Sequence, residues 1–114
     1  MTTPPPPLRT PVFHILLALA REDLHGLGVA AAVEEATDGA VVLGPGTLYR
    51  SLKEMTRDGL IRDVTGPEED CDPRRRYYRI TDTGLRDVRA EAARLARIVE
   101  VARDSRVLPQ SEGA

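Results

Sequence analysis

At 114 residues, 41% apolar and a net charge of −2, the chain is long enough for one domain and too apolar to stay an extended polyelectrolyte. Its single cysteine excludes an intramolecular disulfide framework, and it carries neither a secretory-signal pattern nor an apolar run long enough to span a membrane, so a cytoplasmic protein with no membrane partner is expected. One Phe, three Tyr and no Trp leave a core of Leu, Val, Ile and Ala, a thin core that burial between subunits would support.

Residues 1–9, MTTPPPPLR, read as a disordered proline-rich arm, because four prolines suit neither a helix interior nor a sheet. Thr10-Pro11 gives an N-cap and a first helical position. A helix follows to about Arg21, with Val12, Ile15, Leu16 and Leu19 on one face. His25-Gly26 interrupts the pattern, and His25 is expected to act as a turn residue bonding the backbone. A second helix over about 26–37 directs Val29, Ala30, Val33 and Ala36 inward and stops at Asp38-Gly39. Val41 to Leu43 read as a short strand.

Gly44-Pro45 opens a third helix that ends at Asp58-Gly59. In it Leu48, Leu52 and Met55 form an inward stripe, and at about 100° per residue Arg50, Lys53 and Arg57 fall on the opposite side. Residues 60–65 and 75–80 read as a hairpin joined by a charged loop. The first strand alternates weakly through Leu60, Arg62 and Val64, and in the second Tyr78 and Ile80 are taken as inward. Thr81 caps a last helix in which Leu85, Val88, Ala92, Leu95, Val99 and Ala102 step by three and four. This narrow seam suits a partner helix and predicts dimerisation along a rod of roughly 35 Å. The expected organisation is a winged helix-turn-helix domain at 10–80, a dimerisation helix at 81–106 and a disordered tail at 107–114. The fold class is mainly α with a small β-hairpin.

Fifteen of the sixteen basic residues are arginine, the side chain whose fork matches phosphate and guanine. If the third helix enters a major groove of double-stranded DNA, Thr47, Tyr49, Arg50 and Lys53 are best placed for base edges and nearby phosphates, with Arg50 on guanine and Lys53 and Arg57 on phosphate. Arg74, Arg75 and Arg76 would form a wing at the backbone or minor groove. The bland alternatives are a solvated helix face, with Glu54 and Asp58 pairing those cations, and a strand edge protected by charge. Glu68, Glu69, Asp70 and Asp72 would repel phosphate, so the wing tip is expected to point away from DNA.

Enzymatic and metal-binding readings find no support. Gly44-Pro45-Gly46 lacks the spacing and lysine of a phosphate loop, no nucleophile elbow is present, and His14, His25 and Cys71 are not spaced as metal ligands, so no cofactor, metal or catalytic residue is expected. Cys71 reads as an incidental surface thiol rather than a redox switch.

Three segments, LLALAREDLHGLGVAAAVEEATDG at 16–39, GPGTLYRSLKEMTRDGLI at 44–61 and DPRRRYYRITDTG at 72–84, resemble the PadR-like family of bacterial transcriptional regulators. The resemblance implies a homodimeric repressor of the short type, with one C-terminal dimerisation helix, bound to a pseudo-palindromic operator and released by a small-molecule effector. Gly44 stands where the family often has serine. An effector site near the dimer axis would draw on Phe13, Leu17, Ile98 and Val99. The rival from another class is a winged-helix protein-interaction module that does not bind DNA.

Overall fold

Helix α1 (Thr10–Arg21) buries the stripe its spacing predicts: Val12, Ile15, Leu16 and Leu19, joined by Ala18, lie in the core. In the computed structural model, which describes residues 5–70 and 72–110, its cap is Arg9, one residue earlier than Thr10. Strand β1 (Leu24–His25) leads directly into α2 (Gly26–Ala36), whose Val29 and Val33 reach the core. Ala36 is exposed rather than inward, since the helix ends there and the chain turns away through Asp38 and Gly39, both at positive φ.

No strand forms at 41–43. The Val41 N–H is taken by the Thr37 hydroxyl at 3.0 Å, Val42 faces solvent, and Leu43 drops into the core. With its donor satisfied locally, the segment has no ladder to join. The third strand is β1 instead.

Helix α3 (Pro45–Arg57) buries Leu48, Leu52 and Met55, together with Ser51. Gly59, at φ +77°, turns the chain, and the Leu60 N–H donates to the Met55 carbonyl at 2.9 Å. Leu60 therefore belongs to the closing turn of α3. The inward residue of β2 (Ile61–Val64) is Ile61, out of phase with the expected Leu60, Arg62, Val64 alternation. Strand β3 (Tyr77–Ile80) is central in an antiparallel sheet of order β1-β3-β2, with Leu24 opposite Tyr78, His25 and Val64 opposite Tyr77, and Ile61 opposite Ile80. Tyr78 is buried, Ile80 half-buried and packed on the core.

Helix α4 (Asp82–Asp104) starts under a working cap: the Thr81 hydroxyl accepts from the Gly84 N–H at 3.1 Å and donates to the Gly59 carbonyl at 2.6 Å. Val88 is buried and Leu85 packs against the core, so the first two positions of the expected dimer seam are used within the chain itself. Glu91 is also buried, its carboxylate accepting from Arg94 Nε at 3.0 Å and Nη2 at 2.6 Å. That pairing, helped by the backbone of Leu8, holds the Glu91 carboxyl below the usual carboxylate range. Past Glu91 no α4 residue is buried. The inner end of the arm expected to be free lies on the domain, with Leu8 packed on the core. At the other end, Val107 and Leu108 donate to the Ala102 carbonyl, and Gln110 Nε2 donates to the Arg103 carbonyl, closing the last turn. Residues 1–4, 111–114 and Cys71 lie outside the described residues, and with them part of the arm, the end of the tail and the thiol.

Candidate nucleic-acid interface

With Leu48, Leu52 and Met55 anchored inward, the 100° turn per residue sends the other side of α3 to solvent. Tyr49, Arg50, Lys53 and Arg57 are all exposed there, and Thr47 is partly exposed. The two cationic segments separated in sequence meet in space. Tyr49, Lys53 and Arg57 form one wall of a groove of about 670 Å³, and Arg74, Arg75 and Arg76 contribute to the other. Six of the eight expected contact residues thus share one groove. Thr47 and Arg50 lie to its side.

Sequence reasoning missed several residues of this groove. His25, Gly26 and Leu27 bring the start of α2 into it, Thr56 lies along α3, and Asp63 and Tyr78 come from the sheet. The glycine of the His-Gly pair and the tyrosine of Pro-Gly-Thr-Leu-Tyr turn out to be one packing unit. A Cβ on Gly26 would lie 3.0 Å from Tyr49 Cε1, so the glycine admits the tyrosine ring against the first turn of α2. Leu27, 62% exposed, was legible as a break in the α2 apolar stripe. Asp63 had no such signal, because its alignment with the arginines depends on its pairing opposite Tyr78.

Charge in the groove is only partly spent. Glu54 pairs with Arg9 at 3.0 Å, not with a cation of its own helix. Asp58 takes Arg57 at 3.1 Å, and among the described residues Arg50, Lys53 and Arg76 have no ion-pair partner. Of the pairings expected on a solvated helix face, Asp58 with Arg57 is the one that forms among the described residues. Burial, then the nearby Asp63 carboxylate, pushes the Tyr78 phenol up, against an opposing pull from Arg76. At neutral pH that hydroxyl is a proton donor in the groove.

The wing's acidic residues divide into structural and free. The Asp70 carboxylate accepts from the Tyr77 hydroxyl at 2.7 Å and from the Asp72 N–H at 3.1 Å, with Arg75 at 3.5 Å. Those bonds, Tyr77 foremost, hold its carboxyl below the ordinary value and raise the Tyr77 phenol. Asp72 accepts from the Arg74 N–H at 2.9 Å and pairs with its side chain at 3.3 Å. Tyr77 is held between the His25 ring, 5.3 Å away, and Gly66, where a Cβ would come within 2.5 Å of the tyrosine ring. His25 is therefore a strand residue whose ring lies tilted at 48° against Tyr77 of the wing, and its side chain makes no capping bond to α2. Asp23 clamps Arg79 through Nε at 3.1 Å and Nη2 at 2.6 Å, tying β1 to β3.

Of the expected effector residues, Phe13 packs on the core edge-on to His14, whereas Leu17, Ile98 and Val99 are exposed. Among the described residues no group of three or more His, Cys, Asp or Glu could hold a metal ion, and no helix is long and apolar enough to cross a membrane.

Three helices with a two-stranded wing, a short strand completing the sheet and a cationic outer helix define a winged helix-turn-helix protein. The Transcriptional regulator PadR-like family matches residues 15–90, and the chain belongs to it. Its structure is similar to a PadR family transcription regulator of Clostridium difficile, with 26% identity, a TM-score of 0.72 and coverage of 84% of this chain and 97% of that one. It is also similar to the PcaV transcriptional regulator of Streptomyces coelicolor in complex with its natural ligand, with 29% identity, a TM-score of 0.71 and coverage of 92% and 66%. Bacillus subtilis PadR in complex with operator DNA shares the fold at 22% identity and a TM-score of 0.61, with coverage of 71% and 45%. No protein of curated function matches the chain.

Proposed function

We propose that the protein is a sequence-specific, homodimeric DNA-binding repressor of the bacterial cytoplasm, released from its operator by a small-molecule effector, and that it is not an enzyme. The observation that carries this reading is the groove, in which cations of α3 and of the wing converge while Arg50 and Lys53, beside or within it, have no ion-pair partner among the described residues. Arginine and lysine free of internal carboxylates keep their donors for guanine and phosphate. Thr47, Tyr49 and Arg50 address base edges, and Lys53, Arg57 and Arg74 to Arg76 address the backbone. The B. subtilis relative, whose complex contains operator DNA, supports DNA as the partner. The S. coelicolor relative, bound to its natural ligand, supports an effector. Ala92, Leu95, Val99 and Ala102 would pair the subunits, with the effector near their axis, beside Leu17 and Ile98.

The test is fluorescence anisotropy on the DNA upstream of the protein's own coding region, with scrambled duplex as control. Binding should fall by orders of magnitude between about 50 and 200 mM salt if roughly six to ten phosphates are contacted. Arg50→Ala should cost about 1–3 kcal/mol and relax discrimination at one base position. Salt-insensitive binding, or none, would leave the protein-interaction module as the better reading.

A further inference from the structure

The groove accounts for one flank of α3. Its centre lies near Tyr49, Lys53 and Thr56, whereas Glu54 projects about 130° further round the helix axis, at 100° per residue. A recognition helix seated in a major groove has a phosphate strand on each side. On the flank away from the wing, about 40° beyond Arg50 round the helix, α3 presents a carboxylate, Glu54, which faces a polyanion with the wrong sign.

Arg9 corrects that sign. The end of the N-terminal segment crosses from α4, where the Leu8 backbone lies by Glu91, to α3, where Arg9 Nη2 donates to Glu54 Oε2 at 3.0 Å. The pair is 45 residues apart in sequence, so the tertiary fold, not a helical repeat, brings them together. The Arg9 side chain is 69% exposed, and among the described residues only this one of its donors is used. A guanidinium has five N–H donors in a planar fork, so one edge can stay on Glu54 while the other binds a phosphate oxygen.

We infer that Arg9 is a DNA-backbone contact on the flank of α3 opposite the wing, held in position by Glu54, so that the recognition helix is bracketed by arginines on both sides. This rests on the DNA-binding reading. The exposed pair adds little to folding, so its use lies in orientation: Glu54 holds a long side chain beside α3 before DNA arrives, which reduces the ordering cost of contact.

The experiment is a salt titration of anisotropy on the same upstream duplex, with wild type, Arg9→Ala, Arg9→Lys, Glu54→Gln and the Arg9→Ala/Glu54→Gln double variant. Loss of one phosphate contact should lower affinity for all sequences and flatten the log–log salt slope by about 0.9. Arg9→Lys should keep the slope. The double variant should keep the Arg9→Ala deficit, because removing the carboxylate does not replace the lost donor. Full recovery in the double variant would reduce Arg9 to a neutraliser of Glu54 and overturn the inference, as would an unchanged slope in Arg9→Ala. Arg50→Ala serves as the control. If it weakens binding while Arg9→Ala does not, only the Arg9 contact fails; if wild type does not bind, the DNA-binding reading fails first.

Discussion

Gly84 sits where two rules about helices disagree. Replacing a helical glycine by alanine ordinarily gains up to about 1 kcal/mol. Here, however, a Cβ would run into the carbonyl oxygen of Leu60, which is fixed by the Thr81 N–H at 3.0 Å. A backbone obstacle cannot rotate aside, and overpacking of this kind costs about 1–3 kcal/mol. The collision outweighs propensity, so Gly84→Ala should lower the melting temperature, by roughly 4–8 °C for each kcal/mol lost. A thermal melt followed by circular dichroism decides it, and a raised Tm would mean that α4 shifts freely over the α3–β2 turn. Asp70 makes a prediction of a different kind. Its carboxyl is held below 3.8 first by the Tyr77 hydroxyl and then by the Asp72 N–H. A depressed folded value means that the stabilisation is complete above about 3.8 and disappears as pH falls through the lower folded value. Wild type should therefore lose wing order in that acid window, while Asp70→Asn should lack that step. With three tyrosines and no tryptophan, intrinsic tyrosine emission reports it directly; superimposable acid titrations of the two proteins would remove Asp70 as the staple.

At the scale of elements, what could be read from sequence depended on how far apart the deciding contacts lie. The stripes of α1 and α3 recur every three or four residues, so Ile15, Leu16, Leu48 and Leu52 announce their burial from local order. The outward side of α3 follows by subtraction, which is why the exposure of its cations, and with it a candidate site, was legible. Strand β1 was not. Two residues show no alternation, and Leu24–His25 is a strand through its pairing with β3, supported by the Asp23–Arg79 clamp and the His25–Tyr77 ring contact, all more than fifty residues away in sequence. Val41 to Leu43 failed in the opposite direction. Their composition favours a strand, but the Thr37 hydroxyl takes the Val41 N–H first. The same logic covers Asp63, which reaches the groove through sheet pairing opposite Tyr78 and leaves no short-range mark, whereas Leu27 marked itself only by breaking the α2 stripe.

At the scale of the molecule, the principal extents of 51 × 37 × 28 Å reflect a helix longer than its own domain needs. Leu85 and Val88 are used on the domain, and the seam continues as Ala92, Leu95, Val99 and Ala102. Ile98 and Val101, more than half exposed, widen the apolar strip beyond that seam. A rod with such a face gains free energy by pairing with a copy of itself, at roughly 25 cal/mol per Å² of apolar surface covered. Val99 is the residue to change, because it lies on the seam and is neither in the domain's core nor packed against it. Val99→Glu should leave the helical circular dichroism spectrum as it is while placing two carboxylates at a twofold seam, where each would be desolvated next to its like. Gel filtration at micromolar concentration should then show a monomer where wild type shows a dimer. The functional effect follows from linkage of the two heads. In the proposed dimer, two winged helices on one rod pair would bind successive half-sites with an effective concentration that raises avidity about 10²–10⁴-fold. Val99→Glu should therefore lose that factor on a full palindromic duplex and keep wild-type affinity for an isolated half-site. A variant that stays dimeric would move the interface off this seam, and one that turns monomeric yet binds the palindrome undiminished would show that the heads act independently.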